Sequence, residues 1–225
     1  MKQRTFLVVA LGLAAVLIAG GLYASNMAFK LNYPLAGDLN PASSSGQNSI
    51  ALPYNAQTGI GDAKNLLDDI NLASSPGNVL QVAEWRRDQD GFVGYTGTSG
   101  SPFPLVPGDA YLVQVTNDVS YIIVGSHDPG LQLNFLGDAD PGSSSGQNYY
   151  SYPYHSTSGD AKQLLDEVNA HAGSSVVLQV AQWQEDQDGF VGYTGTSGSP
   201  FALIPGEGYL VQTTINVNNF VPSHF

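Results

Sequence analysis

Apolar and polar positions along this chain trace one series of elements twice. Ile50, Leu52 and Tyr54 alternate within 48–54, as Tyr150, Tyr152 and Tyr154 do within 148–154, which is the period of a half-buried strand. Pro53 and Pro153 lack an N–H to donate, so each of these strands lies at a sheet edge or near its own end. Ala63, Leu66, Leu67 and Ile70 then fall at i, i+3, i+4 and i+7, as do Ala161, Leu164, Leu165 and Val168, and Asp62 and Asp160 are placed to cap the first turn. One apolar stripe on a lone helix has to be covered by a sheet. Around 79–85 and 110–115 apolar residues occupy both parities, which predicts strands covered on both faces.

The pattern repeats because the chain does. Residues 88–103 return letter for letter at 186–201, sixteen residues in each case. Ser43 to Asn48 recurs at Ser143 to Asn148, Leu80 to Ala83 at Leu178 to Ala181, and Tyr111 to Gln114 at Tyr209 to Gln212. Two copies are too few for a solenoid, so each copy is expected to be a domain with its own core. The expected fold class is α+β, mainly β: two tandem homologous β-rich domains, 25–128 and 129–225, each with one amphipathic helix packed on an antiparallel or mixed sheet. The boundary falls near Asp128-Pro129-Gly130, where a turn interrupts the strand pattern. Within the duplicated block, Asp90-Gly91 and Asp188-Gly189 predict tight hairpin turns with both central residues at positive φ. An exposed loop follows, Tyr95 to Pro102 in copy one.

The first 24 residues have a different character. Lys2 and Arg4 precede an unbroken apolar run and then Tyr23-Ala24-Ser25, the order of an export signal cut after Ala24. The run is close to the ~20 residues that span a bilayer, so an uncleaved N-terminal anchor is the rival reading. This segment holds two of the seven basic residues and none of the nineteen acidic ones, so 25–225 carries a formal charge of −14. Such a field repels phosphate backbones and anionic lipid, which argues against nucleic acid as a partner and admits a membrane only through an uncleaved leader. With no cysteine in an exported chain, stability has to come from burial and hydrogen bonding.

The order Ser-Ile-Ala-Leu-Pro-Tyr, amphipathic helix, Val-x-x-Trp, Asp-Gly-Phe-Val-Gly-Tyr and Pro-Gly-(Asp/Glu)-(Ala/Gly)-Tyr-Leu-Val resembles the small β-rich repeats of exported bacterial and archaeal surface proteins. The resemblance spans nearly all of 25–225 and implies a secreted or cell-surface location without implying a catalytic site.

Candidate chemistry is sparse. Asp88 and Asp90, and Glu185, Asp186 and Asp188 in copy two, suggest calcium at the hairpin turns, yet Arg86 and Arg87 crowd the first turn and no full oxygen cage is spelled out. Calcium is therefore expected to be at most a weak, loop-level ligand, and no other cofactor is called for. Trp85, Tyr95, Trp183 and Tyr193 would stack on sugar rings if exposed, or pack in the core if their strands are covered on both faces. Ser126-His127-Asp128 is contiguous, whereas the members of a catalytic triad converge from separate elements, and His155 and His171 have no counterparts in copy one. No catalytic residues are assigned, and an enzyme is not expected. The expected function is a non-catalytic exported structural subunit that associates with itself or with other surface proteins through the uncharged strand edges near Leu31, Ile50 and Tyr149. The alternative is a glycan- or calcium-binding adhesion module.

Intact mass of the protein from its native host tests the leader: loss of residues 1–24 is the expected result, and retention of Met1 to Ala24 in membranes establishes the anchor.

Overall fold

The computed structural model describes residues 29–56, 59–126, 128 and 130–224; the expected leader lies outside the described residues. Copy one runs β1 (Phe29–Leu35), β2 (Gln47–Ala51), β3 (Asn55–Ala56), α1 (Ala63–Ala73), β4 (Val79–Arg86), β5 (Gly91–Tyr95), β6 (Ala110–Val115) and β7 (Val119–Ser126). Copy two repeats most of this as β8 (Leu133–Phe135), β9 (Gln147–Ser151), α2 (Ala161–Ala172), β10 (Val177–Gln184), β11 (Gly189–Tyr193), β12 (Gly208–Thr213) and β13 (Val217–Phe220). Each copy is built on a four-stranded antiparallel sheet, β2-β6-β4-β5 or β9-β12-β10-β11. A smaller sheet accompanies it, β1-β7-β3 in copy one and β8-β13 in copy two. The fold is mainly β in two similar tandem units, and among the described residues no helix is long and apolar enough to cross a membrane.

Both helices form where the stripe predicted. The Asp62 carboxylate accepts from the Asn65 N–H at 2.7 Å and the Asp160 carboxylate from the Gln163 N–H at 2.8 Å, each satisfying an orphan first-turn donor. Ala63, Leu66, Leu67 and Ile70 are buried, as are Ala161, Leu164, Leu165 and Val168. In copy one they meet Val82 and Val113 of the large sheet and Tyr33, Tyr121 and Ile123 of the small one in a single core. Copy two has a corresponding core of its own. The repeated Ser-Ser-Ser-Gly-Gln-Asn has a structural cause: Asn48, 1% exposed, accepts from the Ala36 N–H and donates to the Gly46 carbonyl, and Asn148 does the same with Leu136 and Gly146.

The two large sheets lie face to face. Ala83, Ala110, Leu112, Tyr149, Ala181 and Leu210 form a third buried cluster, with Trp85, Phe92, Trp183 and Phe190 packed against it. This explains the doubly apolar strands. β4, β6, β10 and β12 are covered on one face by their own helix and on the other by the sister copy. The contacts are reciprocal. The Trp85 indole donates to the Gln147 carbonyl at 3.1 Å and that of Trp183 to Gln47 at 3.0 Å. Ser44 N–H donates to the Glu185 carbonyl and Ser144 N–H to that of Arg87. Ala51 N–H donates to the Gly206 carbonyl at 2.7 Å and Ser151 N–H to that of Gly108 at 2.8 Å.

Two expectations change accordingly. β2 and β9 are edge strands within their own sheets, but the Pro-Gly turn of the sister copy covers the ends at Ala51 and Ser151, so these are not open edges. The hairpin between β4 and β5 is also wider than the tight two-residue turn. Residues 87–90 form the loop, only Asp90 stands at positive φ (47°), and Gly91 already belongs to the strand; Asp188 repeats this. The longer loop is what lets the Arg87 and Glu185 carbonyls reach the sister copy's serine loops.

The symmetry breaks where the two faces come closest. Copy one has Ser49 and Ala110 where copy two has Tyr149 and Gly208, and the Tyr149 hydroxyl donates to Ser49 Oγ. A Cβ at Gly208 would lie 2.3 Å from the Ala110 Cβ and 3.0 Å from the Tyr149 ring, so the missing side chain makes room for both. Gly208→Ala should therefore destabilise the chain by about 1–3 kcal/mol through overpacking. Adding Ala110→Gly should recover a large part of that loss, a coupling measured by a double-mutant cycle in urea.

Candidate functional site

Three surfaces are candidates: the hairpin turns, the loops that follow them, and two clefts between the copies. At the turns, Asp88 is exposed and its carboxylate accepts from Arg86 at 3.2 Å, while Asp186 is exposed. Asp188 accepts from the Ser45 hydroxyl of copy one at 2.7 Å. The matching atoms, Asp90 Oδ1 and Ser145 Oγ, are buried without a hydrogen-bond partner among the described residues. Glu185 points away from this group into a cleft. Among the described residues no three His, Cys, Asp or Glu side chains are grouped to hold a metal ion. Of the turn carboxylates, Asp188 is the one whose hydrogen bond docks one copy against the other.

The four aromatics offered as a sugar platform are packed. Tyr95 and Tyr193 are each 6% exposed, inside the cores of their own copies. Trp85 and Trp183 are half-buried between the sheets, where Phe92 and Phe190 stack at 6.1 Å and each indole lies edge-on to the sister phenylalanine at 6.2 Å. Both indole N–H groups are satisfied by carbonyls of the sister copy, so these rings serve the contact between the sheets. Of the histidines, His171 bonds the Asn218 carbonyl at 3.0 Å and His155 packs edge-on against Tyr154, while His127 lies outside the described residues.

The loops 96–102 and 194–200 are exposed along their whole length. Thr96 Oγ1 accepts from the Ser99 N–H at 3.0 Å, Gly97 and Gly100 stand at φ 82° and 80°, and Gly100 lies against the Gly94 carbonyl, so the loop folds back on the end of β5. Copy two repeats each of these contacts.

The clefts are equivalent in position and opposite in chemistry. One, of about 170 Å³, lies between the Val106-Pro107-Gly108 turn of copy one and β8 and β9 of copy two; there Arg87 meets Asp109 at 3.0 Å. The other, of about 400 Å³, lies between the Ile204-Pro205-Gly206 turn of copy two and β1 and β2 of copy one; Glu185 stands in the place of Arg87 and Glu207 in that of Asp109. Burial pushes the Glu185 carboxyl above its usual value, and Glu207 and Asp186 add to the rise. Burial also raises the Glu207 carboxyl, against the Tyr209 hydroxyl that donates to it at 3.1 Å. In the sister cleft burial raises Asp109 while Arg87 opposes it. Arg87 and Glu185 hold equivalent places in the two copies by sequence alone; that Glu207 shares the cleft of Glu185 does not show there, because the two are 22 residues apart in copy two and are brought together by the pairing of β10 with β12. Comparison with known protein families, curated proteins and solved structures finds no match.

Carboxyls whose pKa is raised by folding favour the folded state below their unfolded value and lose that advantage as pH rises through the folded one. Lowering pH from about 7 to about 5 should therefore raise the urea midpoint, helped by falling self-repulsion. Glu185→Gln with Glu207→Gln should raise stability near neutral pH and flatten this slope. Asp118 and Asp140, lowered by hydrogen bonds from the Gly37 N–H and from Asn216 respectively, act in the opposite sense and limit the gain at still lower pH.

Proposed function

We propose that the protein is a non-catalytic exported structural subunit that joins copies of itself through the β5 and β11 edges and their adjoining loops. The observation that carries this reading is how the sixteen identical residues divide. Phe92 and Phe190 serve the docking of one copy on the other, as Asp188 does through Ser45; Tyr95 serves the core, and the glycines serve the loop's backbone. Val93, Thr98, Ser101 and Pro102 are exposed, and packing gives no reason for them to be the same in both halves. A shared partner contact does. The copies differ even at their own interface, at Ser49 and Tyr149, so identity of outer residues points outward.

The chemistry of the strand suits a second strand. β5 and β11 each pair on one side only and contain no charged residue in Gly-Phe-Val-Gly-Tyr. An edge with unpaired N–H and C=O groups and no charge to blunt it accepts a strand from a neighbour. Two such edges per molecule make the contact repeatable, and a contact that does not close on itself gives an open assembly. The −14 charge opposes close approach, so assembly is favoured by salt or divalent ions that screen it.

Light scattering and negative-stain microscopy of the exported chain test the proposal. Assemblies are expected as ionic strength rises, and Val93→Lys with Val191→Lys, at side chains 40% and 42% exposed, should abolish them with the fold intact by circular dichroism. Monomers under all conditions would sink it.

A further inference from the structure

We propose that the larger cleft, at Glu185 and Glu207, binds a molecule bearing a guanidinium group, in the place that Arg87 fills from within at the sister cleft. This site is independent of the assembly proposed above.

The sister cleft shows what the architecture holds at this point. Its Arg87 guanidinium lies 3.0 Å from the Asp109 carboxylate, and with the arginine in place the space left is about 170 Å³. In the larger cleft the cation has gone from the chain and a second carboxylate stands at its origin, leaving about 400 Å³. Small-molecule sites run from about 300 to 1,000 Å³, so only the larger cleft has room for a guest. No Lys or Arg is among the described residues that line it. Copy two contains one Lys or Arg, Lys162, and it is paired with Asp166 on α2. No ion pair forms to Glu185 or Glu207 among the described residues.

The donor set selects the class of cation. Calcium takes six to eight oxygens, and among the described residues no three acidic or imidazole groups are placed to hold a metal ion together, so this pair does not provide that shell. Tyr33, Pro34, Leu35, Ile204 and Pro205 supply walls that suit an aliphatic stem. A guanidinium is planar and weakly hydrated, and its five N–H donors can serve two carboxylates at once. Tyr209 already holds one Glu207 oxygen, which fixes that carboxylate ahead of binding. Half-burial raises both carboxyls, Glu207 and Asp186 raise Glu185 further, and a bound cation relieves this cost.

Isothermal titration of the intact chain with propylguanidine and with Nα-acetyl-arginine amide tests the site. Saturable one-to-one binding of either is expected, with none for the neutral isostere Nα-acetyl-citrulline amide. Binding of propylguanidine alone identifies a small metabolite as the guest; binding of the blocked arginine as well identifies an arginine side chain of a polypeptide. Glu185→Gln and Glu207→Gln should each weaken binding about tenfold or more. Glu185→Arg should rebuild the sister pair from within, abolishing binding and raising the melting temperature. No saturable binding by the wild-type chain, equal binding of citrulline, or unchanged binding by Glu185→Gln would overturn the assignment.

Discussion

Everything else in this molecule depends on the burial of two sheet faces against each other. Ala83, Ala110, Ala181 and Gly208 are small enough to let the faces approach, and Trp85, Phe92, Trp183 and Phe190 close the contact with edge-on and stacked rings. Aromatic rings bring large apolar areas together with geometric preferences of their own. The two indole N–H groups, which would be costly to bury alone, find carbonyls on the sister copy. Each copy has a complete core on its helix side, yet its large sheet is finished only by the other copy. A chain without cysteine gains from this second layer a burial that neither half has alone.

The arrangement is that of a symmetric dimer contained in one chain. An isologous contact presents the same patch from both partners, so a large side chain near the axis has to fit against itself. Here it does not have to. Tyr149 faces Ser49, and Gly208 faces Ala110, so one copy supplies the bulk and the other the space. Covalent linkage makes this division safe, because the second copy is always present at high effective concentration. The same freedom explains the clefts. Because linked halves are not required to match, one cleft holds the Arg87–Asp109 ion pair and the other holds Glu185 with Glu207 and the larger space.

The sequence was informative where a local rule had one outcome. The helix stripes with Asp62 and Asp160 and the edge position of β2 and β9 follow from periodicity and proline placement, and the two tandem β-rich units follow from the internal repeat. The doubly apolar strands around 79–85 and 110–115 carried the interface as well, but periodicity states only that both faces are covered. It does not say that the cover is the other copy. The tight Asp-Gly turn failed because the hairpin widens to dock on a serine loop of the other copy, far along the chain, a tertiary demand with no local signature. The site residues divide in the same way. Glu185 stood out as a turn carboxylate, a candidate calcium ligand, whereas its place beside Glu207 arises when β10 pairs with β12 in copy two, and the cleft they line is completed by copy one.

The pattern of likeness and difference between the copies follows the physics of each surface. Residues that dock one copy on the other are identical where the contact is reciprocal, as in the Ser-Ser-Ser-Gly loops and the hairpin turns, because each side makes the same bond in return. Residues at the closest approach differ, because identical bulk cannot occupy one space twice. Exposed residues on β5, β11 and their loops obey neither constraint, and yet they match. Solvent imposes no such sameness on a valine, a threonine or a serine, since isolated surface positions tolerate change with little effect on stability. The self-association proposed above would meet both halves in the same way, with the uncharged edge strand beside those residues as its natural contact.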